Sequence, residues 1–374
     1  MLVRGGLIAL VAVTAGVLVG HFAWSATTTT LRLSPASERF GRSGDAGPGR
    51  LGSGEDGGGS SGSAGGVSSS ITSKVDPALV DINTDLGLED GEAAGTGMVV
   101  TSDGVVITNN HVITGATKIT ATDLGNGTTY TAHVVGYDYG RDIAVLRLEG
   151  ASGLRTVSFG DSSSLKVGQS IATIGNAGGA GGTPSAAGGQ VSALEQSITA
   201  GDELDGSQEH LSGLIQISGD LQPGDSGGPL VNSSGEVIGM DTAASATFQF
   251  ESSAGEGFAI PIAEVQTIAS RIREARTSGT IHIGATGLLG VFVESQGDEG
   301  ALVRNVISGT PAAASGLSAG DVITALDGTA VSSPTALTEL ILKEHPGAGV
   351  RVSWRNPAGE RQAATVTLAE GPPE

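Results

Sequence analysis

The chain has 374 residues, a formal net charge of −20, 62 glycines and no cysteine. That length allows two or three domains. The lack of cysteine excludes disulfides, thiolate nucleophiles and cysteine-ligated zinc, and the acidic balance argues against nucleic acid as a partner.

Residues 1–26 are dominated by an uncharged apolar run, Gly5 to Gly20, continued by His21-Phe22-Ala23-Trp24. Its length suits a membrane-spanning helix, which needs about 20 apolar residues. Arg4 precedes it, which favours an N-terminus on the cytoplasmic side. The segment reads as a single-pass anchor; a signal peptide cleaved near Ala23-Trp24-Ser25 is the alternative. Both readings put the rest of the chain outside the cytoplasm. Residues 27–72, rich in Gly and Ser, read as a disordered tether with too little apolar surface to fold.

From residue 73 the pattern changes to short apolar runs separated by Gly, Asp and Asn turns. Examples are Gly97–Val100, Val105–Thr108, Ile143–Leu148, Ser170–Gly175 and Glu236–Met240. Strands of this length and spacing predict an all-β barrel or sandwich. A helix over Ile262–Arg276, with Ile262, Val265, Ile268 and Ile272 on one face, closes this first domain at residue 278. Residues 279–372 predict a small α+β module. Its strands start near Gly290, Ala301, Val322, Gly349 and Ala363, and its helices cover Pro311–Ser315 and Thr335–Glu344, the latter opened by Pro334.

Chemistry enters at Gln222-Pro223-Gly224-Asp225-Ser226-Gly227-Gly228-Pro229-Leu230. Serine is a weak nucleophile and needs a base and a pair of oxyanion donors. Glycines on both sides of Ser226 let backbone N–H groups at Gly224 and Ser226 converge and keep side chains away from a substrate backbone. Of six histidines, His111 stands where a strand enters a loop, a common position for functional groups. His133 falls mid-strand and reads as surface or packed; His210 falls in a polar, solvated loop. Asp142 heads the apolar run Ile143–Leu148 and needs a partner, because an unpaired buried acid is costly. Asp138 reads as a turn residue. The chain order His111, Asp142, Ser226 is that of the chymotrypsin-like double β-barrel rather than of subtilisin or the α/β-hydrolases.

Thr108-Asn109-Asn110-His111-Val112, Asp142-Ile143-Ala144-Val145-Leu146, Gly224-Asp225-Ser226-Gly227-Gly228-Pro229-Leu230 and Gly257-Phe258-Ala259-Ile260-Pro261 together resemble the HtrA family of serine proteases. The second module, with Thr310-Pro311-Ala312-Ala313-Ala314-Ser315-Gly316-Leu317 and Gly320-Asp321-Val322-Ile323, resembles that family's PDZ domain. The resemblance implies a mostly β chain: a double β-barrel protease domain over 73–278 and a PDZ domain over 279–372, behind the anchor and linker. It implies an ATP-independent endopeptidase acting on unfolded proteins outside the cytoplasm, with no cofactor or metal, assembled as trimers or multiples of trimers. His111 is then the general base, Asp142 its orienting acid and Ser226 the nucleophile, with the backbone of Gly224, Asp225 and Ser226 around the oxyanion. Leu288-Leu289-Gly290-Val291 becomes the loop that receives a peptide C-terminal carboxylate, the peptide adding as a strand, with the helix from Thr335 to Lys343 as the other wall. Two residues depart from the family pattern. Asp225 replaces the usual Asn before the serine. Asp220 stands six residues before Ser226, where trypsin-like enzymes bind basic P1 side chains, and is a candidate for the S1 pocket. A chaperone or scaffold with a mostly inactive protease site is the alternative function. An intact triad argues against a relict fold, and the chain order with the PDZ module argues against an esterase.

Overall fold

The computed structural model describes residues 8–11, 67–88, 91–176, 181–202, 208–219, 221–242, 248–249, 256–277, 279–297 and 299–373. The expected spanning helix and linker fall mostly outside these residues. What is described of the apolar run is a four-residue strand, β1 (Ile8–Val11), and no described helix is long and apolar enough to cross a membrane. Helix α1 (Ser69–Val75) begins inside the expected linker and is capped by the Ser68 side chain, which accepts from Ser70 N. Such a cap satisfies one of the orphan N–H groups of the first turn.

The first barrel comprises β2 (Leu79–Leu86), β3 (Gly91–Val99), β4 (Val105–Thr108), β5 (Lys118–Asp123), β6 (Thr129–Asp138) and β7 (Ile143–Leu148). They pair antiparallel in the order β5-β2-β3-β4-β7-β6, and β6 pairs back onto β5, so the sheet closes. Strand β7 is inward at Ile143 to Leu146, as its unbroken apolar run requires, and exposes Arg147. The second barrel comprises β8 (Ser170–Gly175), β9 (Ser185–Asp202), β10 (Gln208–Ser218), β11 (Pro229–Val231), β12 (Val237–Thr242) and β14 (Glu256–Pro261). It closes through the β9–β10 pair, with β13 (Phe248–Gln249) added to β9. Closure removes unpaired sheet edges. Helix α2 (Ile262–Arg273) packs Ile262, Val265, Ile268 and Ile272 into the core. It stops three residues short of the expected end, with Ala275 at φ 52°.

The C-terminal module pairs β17 (Val291–Ser295), β18 (Ala301–Val306), β19 (Val322–Leu326), β21 (Gly349–Arg355) and β22 (Arg361–Thr367) in sequence order, with β20 (Thr329–Ala330) on β19. Helices α3 (Pro311–Ser315) and α4 (Pro334–Ile341) begin at the expected prolines. A short strand pairing and a backbone hydrogen bond link this module to the first barrel. Strand β15 (Ile281–Ile283), placed by sequence in the second module, adds to β6 of the barrel. Strand β16 (Thr286–Leu288) pairs with β23 (Ala369–Gly371), and beyond β23 the Pro373 carbonyl accepts from Gly115 N at 2.9 Å. His282 is buried at this junction, its Nδ1 2.8 Å from Leu342 O and its Nε2 3.1 Å from Ala285 O. Tyr137, fully buried in the barrel, pairs its hydroxyl with Thr286 Oγ1 at 2.9 Å.

Candidate active site

His111 follows β4, and Asp142 immediately precedes β7, the strand beside it in the barrel. The pairing Thr108↔Ala144 therefore carries the two side chains to one rim of the sheet. Asp142 is buried and has φ 53°, a left-handed conformation that Asp tolerates better than most residues. The Asn109 amide secures this geometry by donating to Asp142 O at 2.9 Å. The Asp142 carboxylate meets His111 Nδ1 with Oδ1 at 3.0 Å and Oδ2 at 2.9 Å, accepts His111 N at 3.0 Å through Oδ1, and accepts Thr242 Oγ1 at 3.1 Å through Oδ2. A carboxylate on Nδ1 assigns the imidazole proton to that nitrogen, so the lone pair lies on Nε2.

Ser226 comes from the second barrel, in a loop that is buried from Gly224 to Leu230. Gln222–Asp225 is a β-turn closed by Asp225 N donating to Gln222 O at 3.0 Å. Pro223 occupies its second position and Gly224, at φ 99°, its third, which defines a type II turn. Relative to a type I turn, the Pro223–Gly224 peptide is reversed, so turn type sets where the Gly224 N–H points. Of the three backbone N–H groups expected around an oxyanion, that of Asp225 is committed to closing the turn.

Thr96 on β3 joins this loop to the first barrel. Its hydroxyl donates to Gly224 O at 2.8 Å and accepts Asn176 N at 2.9 Å, and its N–H donates to Ser226 O at 2.9 Å. Its carbonyl accepts the Thr108 hydroxyl at 2.7 Å. Gly227 is pressed so close that a Cβ there would stand 2.2 Å from both Thr108 Oγ1 and Thr96 O. No side chain fits such a gap, and φ 83° disfavours one as well. The serine loop is thereby seated on the end of β4, three residues before His111.

The remaining sequence candidates separate cleanly. Asp138 is the expected turn residue, its Oδ1 accepting Gly140 N at 3.1 Å. His133 is exposed beside Glu149. His210 is exposed but lies on β10 rather than in a loop, because the β9–β10 ribbon continues through it, opposite Thr199. Asp220 lies outside the described residues. Leu288, Leu289 and Val291 are buried, and the Leu289 and Gly290 carbonyls are taken by Ala312 N and Ile307 N at 2.9 and 3.0 Å, which fixes the loop entering β17. Strand β1 lies antiparallel along β17, from Ile8↔Glu294 to Val11↔Val291, so this edge accepts an added strand. Among the described residues no cluster of three or more His, Asp or Glu could hold a metal.

The trypsin-like peptidase domain model matches residues 95–240 and the PDZ domain model residues 287–368. Serine protease PepD of Mycobacterium tuberculosis is 34% identical over 320 residues, 82% of this chain and 66% of that protein. The periplasmic pH-dependent serine endoprotease DegQ of Escherichia coli is 36% identical over 287 residues, 74% of this chain and 59% of that protein. The chain belongs to the HtrA-type serine proteases, with one PDZ domain. It spans between about half and two thirds of the length of the curated relatives it matches. Among solved structures, the HtrA-type protease AlgW with a tripeptide aligns over 81% of this chain and 97% of its own, at 27% identity and a TM-score of 0.47. His111, Asp142 and Ser226 all lie within the matched peptidase segment of this HtrA-type chain. Thr242 lies just beyond it. Thr96 and Thr242 were not singled out from sequence, and Asn109 only as part of the motif before His111; each has its partner far away along the chain.

Proposed function

We propose that the chain is a serine endopeptidase acting on unfolded proteins outside the cytoplasm. Ser226 attacks the scissile carbonyl and His111 Nε2 takes its proton. Asp142 holds the imidazole and balances the charge it gains. The N–H groups of Gly224 and Ser226 receive the oxyanion, a stabilisation worth on the order of 3–4 kcal/mol per donor in comparable sites. The observation that carries this reading is Asp142, held by His111 through both carboxylate oxygens at 2.9–3.0 Å, beside a serine loop clamped to the same rim by Thr96. The PDZ module binds peptide C-termini as a strand along β17. Residues 1–26 anchor the chain in the membrane, which requires Ile8–Val11 to leave β17, and the chain assembles as trimers or multiples of trimers.

Treating the full chain and Ser226→Ala with a fluorophosphonate probe tests the chemistry. One adduct on the parent and none on the variant is the expected result. An unlabelled parent that stays unlabelled after addition of peptides with hydrophobic C-termini would replace this reading with a scaffold or chaperone role. Recovery of the full chain in the soluble fraction after membrane sedimentation would remove the anchor.

A further inference from the structure

The chain that leaves His111 is held from two sides. Residues 110–117 form a compact turn between β4 and β5. Ile113 N and Thr114 N donate to Asn110 O at 2.9 and 3.0 Å, Ala116 N donates to Ile113 O at 3.0 Å, and Thr117 N donates to Asp85 O at 2.8 Å. All of these contacts stay within the first barrel. On the inner side Val112 is pressed against β3. A Cβ at Gly95 would stand 2.7 Å from both methyl groups of Val112 and 3.3 Å from Ser226 O.

The outer side is supplied by the C-terminal module. Gly115 N, at φ 74°, donates to Pro373 O at 2.9 Å. Pro372 and Pro373 are both buried, whereas proline is mostly an exposed residue. Leu342 caps the C-terminal end of α4 and is buried. It belongs to the hydrophobic cluster of the first barrel, together with Val112, Ile113 and Ala116. Among the described residues it is the only buried member of that cluster from beyond Leu154. Its helix neighbours Leu337 and Ile341 belong instead to the cluster inside the module. The Leu342 carbonyl is fixed as well, 2.8 Å from Nδ1 of His282 on β15.

Asp142 holds the ring and the N–H of His111, while the backbone beyond His111 goes where Val112 to Ala116 are packed. Interiors have few voids, and deleting one buried side chain lets its neighbours shift. Proton transfer tolerates little shift, since about 1 Å of misplacement can cost roughly 100-fold in rate. We infer that Leu342 is a positioning residue for the proposed reaction: with the Pro372–Pro373 tail it seats the turn after His111, so that the C-terminal module completes the catalytic domain. The effect on turnover rests on the endopeptidase reading; the seating itself does not.

The test compares the full chain with Leu342→Ala, Leu342→Met, Val352→Ala and a chain ending at Gly371, with labelled casein as the unfolded substrate. Methionine keeps the volume of leucine. Val352 is buried in the module's own cluster, so its truncation reports general loosening of the module. Leu342→Ala is expected to lose about tenfold in kcat with KM little changed, because a misplaced base acts on the transition state. The chain ending at Gly371, which lacks the Pro373 carbonyl, is expected to lose about threefold. Leu342→Met and Val352→Ala are expected to stay within about twofold of the parent. In the Ser226→Ala background, hydrogen exchange of the 112–116 amides is expected to quicken about tenfold with Leu342→Ala and to stay unchanged with Val352→Ala. The proposal is overturned if Leu342→Ala keeps its kcat, if Leu342→Met or Val352→Ala loses as much, or if the 112–116 amides of Leu342→Ala exchange at the parent's rate. Should Leu342→Ala fail to fold, the chain ending at Gly371 decides, and an unchanged kcat there overturns the proposal. A parent that leaves casein intact, no better than Ser226→Ala, overturns the endopeptidase reading, and amide exchange alone then decides the seating.

Discussion

His111 and His282 are both held by hydrogen bonds, and their surroundings assign them opposite roles. His111 has a carboxylate on Nδ1, contacted at 2.9 and 3.0 Å, and its side chain is 14% exposed. His282 has a backbone carbonyl near each ring nitrogen, at 2.8 and 3.1 Å, between Tyr137 and His345 with ring centroids 5.2 and 5.0 Å away. An imidazole serves as a base when one nitrogen is fixed as donor to an anion that stabilises the positive charge it gains. Two carbonyls supply no such anion. Burial pulls the His282 imidazole below its ordinary value even though both carbonyls favour its charged form. The neutral ring has one N–H for two carbonyls, so His282 fastens the junction of barrel and PDZ module and is poorly placed to move protons.

The strongest way to break this contrast is Asp142→Asn. It leaves the fold but favours the wrong tautomer, and kcat is expected to fall by about 10³- to 10⁴-fold; a loss under tenfold in casein cleavage would mean that the carboxylate is structural only. Thr96→Val comes next. It removes the hydroxyl that donates to Gly224 O and accepts Asn176 N. Labelling of Ser226 by the fluorophosphonate is expected to slow by about tenfold, through the cost of two buried groups left without their partner. Unchanged labelling would show that the turn holds itself.

Two smaller effects concern stability. Asp241, buried on β12, has a raised folded-state value, first through burial and second through the Asp225 carboxylate, so its contribution is fully present below its ordinary value of 3.8 and is lost as pH rises through the folded value. Asp241→Asn should therefore gain Tm relative to the parent as pH rises from 4 to 7, at a limiting slope of about 1.4 kcal/mol per pH unit; parallel Tm curves would rule out an uncharged Asp241. His282 has a depressed value, so its contribution is present above its ordinary value of 6.5 and is lost as pH falls toward the folded value. His282→Asn, which cannot titrate, should lose less Tm than the parent between pH 7.5 and 5.5. If both lose equally, the junction histidine is already charged or irrelevant to stability.

Much of the site was legible because its residues come with local chemistry. Gly224-Asp225-Ser226-Gly227-Gly228 announces a tight nucleophile loop through glycine alone: Gly224 and Gly227 have a positive φ, and a Cβ at Gly227 or Gly228 would collide. Asp142 was recognisable because an acid heading an apolar strand demands a partner. Thr96, Asn109, Thr242 and Asp241 were not, since a threonine, asparagine or acid within a strand or just after one occurs for many reasons. Their meaning depends on contacts such as Thr96 to Gly224, 128 residues apart, and Thr242 to Asp142, 100 residues apart. His210 shows the converse: polar neighbours suggested a loop, and pairing with β9 made it a strand.

The sequence by itself determined that the chain is β-rich, carries a serine, histidine and acid in double-barrel order, and ends in an α+β module, because alternation, turn residues and small motifs are local properties. Only the tertiary structure decided that the two barrels close, that Thr96 of one clamps the serine loop of the other, and that β15 belongs to the first barrel. It also decided which acid is paired with the histidine base. Those outcomes depend on distance and burial, which set the energy of a charge or an orphan hydrogen bond and which no short stretch of sequence encodes.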